Sequence, residues 1–181
     1  QGGKGMIERP ANCELEAIKQ CAYAMCAAAR TAPKGKGVDR IETCVITGLE
    51  KDDIANEMER LSEPLGYPFF SRDSKNVRAS GALVIIGASY GTRGLNDGCR
   101  YCLFENCADC IKKGGVCAHD LVDLGIAIGS AASIAADFRV DTRVMFSIGR
   151  AALALGFLPP EVKAAYGLPL SVSGKSPFFD R

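Results

Sequence analysis

The sequence contains no tryptophan and only one histidine, His119, in 181 residues. A single imidazole disfavours both a histidine-rich metal centre and a hydrolase that pairs a cysteine with spare histidines. The sequence also lacks a large excess of charge of either sign, because 22 Lys and Arg residues nearly balance 21 Asp and Glu residues, giving a net charge of +1. Without a net basic field, the chain is not expected to bind nucleic acid or anionic membranes.

Long apolar runs are lacking as well, since none approaches the roughly 18 residues that a membrane-spanning helix needs. Residues 1–9 are glycine-rich and charged, and they have no apolar centre of the kind found in secretion signals. These two absences predict a cytoplasmic protein. The length of 181 residues, with 48% hydrophobic and 24% charged residues, predicts one globular domain over residues 1–181.

Apolar residues at helical spacing predict four helices. Three of them cover residues 14–30, 51–61 and 120–137, with Asp120 as the cap of the third, and Asp141 is expected to cap the fourth. The third helix is unusually rich in glycine, alanine and serine, which let backbones approach closely. We therefore expect it either in the centre of the core or at a subunit interface.

Three β-rich runs alternate with these helices. Residues 41–47 and 82–88 predict strands, and the second is expected to be buried on both faces because it is apolar throughout. Residues 162–172 predict a strand that Gly167 and Pro169 would confine to the edge of a sheet. Residues 66–80 have turn and charge character. This order of elements predicts an α/β (α+β) fold with a mixed sheet flanked by helices.

Nine cysteines stand out in this sequence, and an odd number without a secretion signal argues against a disulfide framework. Five of them lie in one glycine-rich segment, residues 89–118, which we call the cysteine loop: Cys99, Cys102, Cys107, Cys110 and Cys117. Unpaired thiols at this density oxidise unless a metal or a reducing compartment protects them. The cysteine loop is therefore a candidate metal site.

Three interpretations of the cysteine loop are open. A four-iron cluster needs four converging thiolates, whose negative charge could be offset by Arg100, Lys112 and Lys113. A structural zinc ion could use the two Cys-x2-Cys pairs, although only four residues separate these pairs. The third interpretation is a loop without metal, in which the thiols are reduced or linked as disulfides.

The spacing Cys-x2-Cys-x4-Cys, followed by a later cysteine, resembles a small four-iron cluster module of anaerobic redox proteins. This resemblance implies Cys99, Cys102, Cys107 and Cys117 as ligands. It leaves Cys110 as a fifth thiol, which is an alternative ligand, a resolving thiol or a passenger. His119 is expected to cap a helix or to contact a ligand, because enough thiols are present to bind the metal without it.

Four stretches also resemble an uncharacterised family of anaerobic bacteria and archaea that is described as containing a ferredoxin domain. They are residues 28–39 (Ala-Ala-Arg-Thr-Ala-Pro-Lys-Gly-Lys-Gly-Val-Asp), the cysteine loop, residues 123–130 (Asp-Leu-Gly-Ile-Ala-Ile-Gly-Ser) and residues 174–181. That family is similar in turn to the nitroreductase-like flavoproteins. The resemblance implies a nitroreductase-like fold, and it implies a homodimer with FMN at the subunit interface.

The match to the flavoprotein pattern is partial. Residues 28–34 have its Ala-Ala-x-x-Ala-Pro spacing, but Lys34 replaces the serine, and the asparagine and glutamine that follow in those enzymes are missing. Of their N-terminal arginine cluster, Arg9 is the one candidate. Candidate FMN contacts, through charge and loop amides, are Arg9, Lys34, Gly35, Lys36 and Arg40. The alternative is a solvated basic turn, and the same choice applies to Lys175 and Arg181 in the tail.

Together these features predict an iron–sulfur redox protein that transfers electrons or reduces a small substrate, with FMN as a candidate second cofactor. A homodimer and a redox partner protein are the expected partners. The alternative is a protein without enzymatic activity, in which zinc stabilises the cysteine loop or no metal is bound. The sequence shows no obvious pair of a nucleophile and a base, so hydrolysis is not predicted.

Overall fold

The fold is known from a computed structural model, which describes Ile7 and residues 9–179. The described residues form six α-helices: α1 (Pro10–Thr31), α2 (Leu49–Ser62), α3 (Phe69–Arg78), α4 (Cys107–Lys112), α5 (Ala118–Asp137) and α6 (Phe146–Ala154). They also form four strands: β1 (Ile41–Ile46), β2 (Ala82–Ser89), β3 (Asp141–Thr142) and β4 (Val162–Ser171). Two short 3-10 turns lie at Gly35–Gly37 and Asn96–Gly98.

The strands form one sheet in the order β1-β2-β4-β3. Every pairing among the described strands is antiparallel, so the α+β fold class is confirmed but the sheet is not mixed. Alternating helices and strands suggested parallel crossovers. Here the helical connections instead return the chain in the opposite direction, which helix–strand alternation in a sequence does not distinguish.

Strand β4 lies inside the sheet, between β2 and β3, although Gly167 and Pro169 predicted an edge. Gly167 exchanges two backbone hydrogen bonds with Met145, at 2.8 and 3.0 Å. Because alternate residues of a strand direct their amides to the same side, the nitrogen of Pro169 faces that side too. It lies between the Met145 bridge and the two-residue strand β3, where the pairing of β4 with this side of the sheet is interrupted.

The sheet is covered on both faces, and β2 shows how the sequence divides between them. Residues 82, 84, 86 and 88 pack in the cluster formed with α1 and α5. Leu83 and Ile85 point the other way and pack with residues of α2, α3 and α6. The expectation that this apolar run is buried on both faces is therefore confirmed.

Helix α3 occupies a region for which the sequence predicted turns. Its buried positions are Phe70, Asp73, Ser74 and Val77, which follow helical spacing although two of them are polar. Asp73 is satisfied inside the protein, because it accepts hydrogen bonds from Ser147 Oγ at 2.6 Å and from Arg72 Nε at 2.9 Å. Polar residues on the inward face conceal the helix from a search for apolar periodicity.

Two predicted helix caps are wrong. Asp141 belongs to β3, and α6 begins only after Met145. Helix α5 begins at Ala118 with Cys117 as its N-cap residue, which places Asp120 inside the first turn. The Asp120 carboxylate is fully buried and binds groups outside its own helix.

Helix α5 has the length and composition of a membrane-spanning segment, with a mean hydropathy of 1.2, contrary to the expectation that no such run exists. Glycine and alanine make up much of this helix, so it stays apolar without long aliphatic runs. It packs against α1 and the sheet through Leu124, Ala127 and Ala131, which is the behaviour of a core helix. One such helix is weak support for a membrane protein.

A buried ionic network joins the segments around the N-terminal end of α5. Arg93 donates one hydrogen bond to Asp120 and one to Asp123, both at 2.7 Å, and the three side chains are at most 5% exposed. Asp120 also accepts the amide of Gly91 at 2.9 Å, and Asp123 accepts the amide of Gly35 at 3.0 Å. Burial alone would lower the pKa of the Arg93 guanidinium, but Asp123 and Asp120 together raise it above its ordinary value.

Replacing Arg93 should strongly destabilise the fold. Arg93→Met leaves two buried carboxylates without their cation, so we expect a loss of about 3–5 kcal/mol in the free energy of unfolding. Arg78→Met is the matched control, because Arg78 pairs with Glu59 at 3.1 Å on the surface, and it should cost less than about 1 kcal/mol. Urea denaturation followed by circular dichroism measures both variants. If Arg93→Met lost as little free energy of unfolding as the control variant, the buried network would be unimportant for stability.

Candidate metal centre

The cysteine loop leaves the sheet at the end of β2 and returns at the start of α5. Within it, Asn106 begins helix α4 by accepting the amide of Asp109 on its side-chain oxygen at 2.9 Å. This cap fixes the position of α4, so Cys107 and Cys110, three residues apart, lie on one face of the helix. The chain turns after α4 at Gly114, where φ is 64°. Gly115 then packs closely against the Phe104 ring and Cys110, because a Cβ atom there would overlap the ring.

All five thiols of the cysteine loop line a single small cavity, together with Arg93, Phe104 and His119. Helix α4 lies between Cys99 and Cys117 in the sequence, yet the fold brings these two cysteines to the same cavity. Free space inside the cavity is about 20 Å³. That volume suffices for one water molecule.

The five thiols differ in their surroundings. Cys110 is 1% exposed, and burial raises the pKa of its thiol, with smaller contributions from Cys102, Cys117 and Cys107. The sulfur of Cys107 accepts the backbone amide of Asn96 at 3.3 Å. Cys99 has a different neighbour, since its sulfur lies 3.6 Å from Nε2 of His119.

The donor set suits a thiolate-bound metal centre in number and chemistry, because four or five cysteines are what iron–sulfur clusters and structural zinc require. In the side-chain positions of this structure, no three His, Cys, Asp or Glu donors among the described residues converge on a point that would hold one ion. Binding would therefore require the thiols to rotate from their present positions.

Of the three basic residues that the sequence suggested beside the metal centre, Arg100 lines the cavity, and its side chain is exposed. Lys113 is neutralised by Asp109 at 2.9 Å, and Lys112 is exposed. Arg93 lines the cavity as well, and it is held there by Asp120 and Asp123. These last three residues were not predicted at the site. The spacing of the two aspartates, three apart on an otherwise apolar helix, was the signal that could have indicated them.

The predicted FMN contacts do not form one site within this chain. The amine of Lys34 donates to the carbonyls of Ala29, Arg30 and Ala32 and so caps the C-terminal end of α1, and its side chain is 6% exposed. The amide of Gly35 is used by Asp123. Arg9 precedes α1, a helix of 22 residues that separates it from Lys34 by about 33 Å.

Lys36 and Arg40 are the two predicted flavin contacts that remain close together. The guanidinium of Arg40 packs directly over Gly91, and the amine of Lys36 lies near Gly94. Arg40 Nε is buried, and it has no hydrogen-bond partner in the described part of the chain. Of the two tail candidates, Arg181 lies outside the described residues, as does Asp180 of the family-like tail segment.

The Gly35–Gly37 turn lies against the wall of the cysteine cavity. A Cβ atom at residue 35 would lie 3.4 Å from Arg93 Nε and 3.6 Å from the Cβ of His119. The turn that the sequence assigned to flavin is thus structurally tied to the cysteine loop. Within one chain, Lys34 and Gly35 are satisfied internally and Arg9 is remote, so Lys36 and Arg40 are the predicted contacts whose charge is left for an anion.

The chain is similar in sequence to an archaeal protein over most of its length. An uncharacterised protein from Archaeoglobus fulgidus is 43% identical over 174 residues, which are 92% of either chain. The sequence profile of a family described as an uncharacterised protein containing a ferredoxin domain matches residues 113–181. This matched segment includes Cys117 but not the four earlier cysteines of the loop.

The fold is similar to that of solved flavoproteins at low sequence identity. A nitroreductase with bound FMN from Desulfitobacterium hafniense has a TM-score of 0.58 at 14% identity, with 96% of this chain and 82% of that chain covered. A putative NADH dehydrogenase/NAD(P)H nitroreductase from Bacteroides thetaiotaomicron has the same TM-score and identity, over 87% and 75%. A BluB-like flavoprotein from Clostridium difficile has a TM-score of 0.55 at 17% identity, over 96% and 88%.

These similarities confirm the nitroreductase-like fold that the sequence predicted. The resemblance to the ferredoxin-domain family is confirmed too, because the full-length archaeal relative and the C-terminal profile match agree with it. The chain belongs to the family of uncharacterised proteins that contain a ferredoxin domain.

Proposed function

We propose that this chain is an iron–sulfur redox protein, in which the cysteine loop binds a four-iron cluster and passes single electrons to a partner or a small substrate. The observation that carries the proposal is the shared cavity of the five thiols. All nine cysteines are free, so no disulfide competes for the donors. The family description, a ferredoxin domain, is consistent with a redox function.

The residues around the cavity would serve such a centre in three ways. Phe104 and the buried segment at Cys110 exclude water, which is one factor that sets a reduction potential. The amide of Asn96 already donates to Cys107, as backbone amides do to ligand sulfurs. Arg93, fixed by Asp120 and Asp123, gives the cavity a rigid wall on the side of α5. A bound cluster would supply one-electron transfer and no proton chemistry of its own.

A partner protein could approach the cluster over the outer side of the cysteine loop. Tyr101 and Leu103 lie in the segment between two of the cavity cysteines and are 73% and 92% exposed. Leu103 is held outward by a backbone with φ of 66°, a conformation that is costly for a leucine. Apolar side chains displayed beside a redox centre favour transient contact with an electron carrier.

The proposed function does not depend on FMN. The D. hafniense nitroreductase binds it, but here Lys34 and Gly35 have internal partners. Lys36 and Arg40 are the residues left to hold an anionic group at this turn. We therefore assign the redox chemistry to the cysteine loop.

A structural zinc ion is the second candidate for the cysteine loop. The observation that favours it is the small free space in the cavity, about 20 Å³, which would admit one ion more readily than a cluster. In that case the metal would only hold the loop together. The protein would then be a binding protein without electron-transfer activity.

We also propose that the protein acts in the cytoplasm as one domain over residues 1–181. Nine free thiols are stable in a reducing compartment and would be oxidised outside it. The cysteine loop leaves from and returns to the same globular core, so it is an elaboration of this domain.

Metal analysis of protein purified without oxygen tests the cluster. We expect brown protein with about four iron and four sulfide per chain, and an electron paramagnetic resonance signal after reduction with dithionite. Cys102→Ser should lose the iron. Cys13→Ser is the matched control, because Cys13 is an exposed thiol of α1 outside the loop, and it should retain the iron. One zinc per chain without iron would support the second candidate, and a chain without metal would overturn both. Flavin released on denaturation is measured in the same samples.

We further propose that two copies of the chain associate through the outer face of α5. Leu121, Val122 and Ile126 are 40–51% exposed on this face. Gly125 and Gly129 lie beside them with no atom near the position of a Cβ, so another helix can approach closely. The face carries no charge along these positions, and a homodimer is what the resemblance to nitroreductase-like flavoproteins implies.

Gly129→Arg should dissociate such a dimer without unfolding the chain. A Cβ atom at residue 129 would have no neighbouring atom within 4 Å outside its own helix turn, and replacing a helical glycine favours the helix by up to about 1 kcal/mol. Light scattering after size-exclusion chromatography should show a dimer for the parent protein and a monomer for the variant. Gly174→Arg, in open space on the tail, should remain dimeric. A monomeric parent protein, or a variant that still dimerises, contradicts the proposal.

A further inference from the structure

The five thiols of the cysteine loop separate into four that line the inner cavity alone and one, Cys99, that also lines an open cleft. Cys110 is buried, with 1% of its surface exposed. Cys107 and Cys110 share a face of α4, and Cys117 is the N-cap residue of α5. A buried thiol on the wall of the inner cavity is in the position of a ligand.

Cys99 faces different surroundings. Its sulfur lies 3.6 Å from Nε2 of His119, the single imidazole of the chain. The ring of Tyr101 packs on that imidazole, with the two ring centres 5.8 Å apart, and so helps to fix its orientation. Cys99 thus contacts a histidine on the outer side of the cavity that all five thiols line.

An open cleft of about 350 Å³ reaches Cys99 from the surface. Its lining consists of Leu95, Gly98, Cys99, Tyr101 and His119. Cys99 and His119 also line the inner cavity, so they form the wall between the cleft and the other four thiols. A small molecule in the cleft would meet a thiol and an imidazole immediately outside the proposed metal centre.

We infer that Cys102, Cys107, Cys110 and Cys117 are the cluster ligands, and that Cys99, positioned by His119, is a reactive thiol that takes small disulfides from the open cleft. This inference rests on the proposed function, and it differs from the ligand set that the sequence resemblance implies. In this assignment Cys110 is a cluster ligand, and Cys99 is free to react with a disulfide.

The reaction at Cys99 is a thiol–disulfide exchange. The sulfur of Cys99 forms a bond with one sulfur of the small disulfide, and the original S–S bond breaks. The second sulfur leaves as a thiol, carrying the bond electrons and the proton that Cys99 gave up. The small disulfide is the oxidant, so no other reactant is needed. A thiol in a polar, partly exposed site suits this chemistry, whereas buried thiols are inert.

Two single substitutions test the ligand assignment in protein purified without oxygen. Cys99→Ser should retain the iron and sulfide content of the parent protein, and Cys110→Ser should lose it. Retention in Cys110→Ser, or loss in Cys99→Ser, overturns the assignment while leaving the iron–sulfur function intact. Absence of iron from the parent protein would instead overturn the proposed function itself.

Reaction with glutathione disulfide tests the reactive thiol. After exposure of the iron-loaded protein, peptide mass spectrometry should find the glutathione adduct on Cys99 and not on the four ligand cysteines. Cys21 and Cys44 are internal controls, because burial raises the pKa of each thiol to about 11, and they should remain unmodified. His119→Phe retains a ring beside Tyr101 but removes the nitrogen near Cys99. It should slow adduct formation without changing the iron content. An unmodified Cys99, or an unchanged rate in His119→Phe, overturns this part of the inference.

Discussion

The buried guanidinium of Arg93 holds together the three segments that surround the cysteine cavity. Two carboxylates from the first turns of α5 bind it, and through them the backbones of Gly35 and Gly91 are fixed as well. Taking three charges out of water is unfavourable unless each is closely paired, and here every carboxylate also accepts a backbone amide. The wall of the cavity is therefore rigid on the side of α5, whereas the outer side consists of exposed loop.

Much of the fold could be predicted from the sequence, because apolar periodicity dominates it. The apolar run at β2 and the long helices α1 and α5 lie where their patterns indicated. Helix α3 was concealed because Asp73 and Ser74 occupy its buried face and are satisfied by partners from elsewhere in the chain. The central place of β4 could not be inferred either. It depends on where Met145 and β3 leave a gap opposite Pro169, which is a property of the assembled sheet.

In the candidate site, too, some features follow from the spacing of residues in the sequence and others arise only in the folded chain. Clustering of cysteines in the sequence indicated a metal loop, and the structure places all five around one cavity. The arrangement of the thiols depends on the helix cap at Asn106 and on the close packing at Gly115. The spacing of the cysteines in the sequence predicts neither of these. Lys34 shows a role that the sequence did not indicate, since its amine caps the end of its own helix. Arg93 escaped notice because its two partners lie 27 and 30 residues away in the chain.

The short turn at Gly35–Gly37 has a mechanical consequence. Its first amide is bound by Asp123, and its first Cα rests on Arg93 and His119, while Lys36 and Arg40 extend from it toward the chain segment that follows β2. The turn therefore connects two basic side chains, Lys36 and Arg40, with the wall of the cysteine cavity formed by Arg93 and His119. An anion bound by the two basic residues would thus lie one hydrogen bond and one packing contact away from that wall.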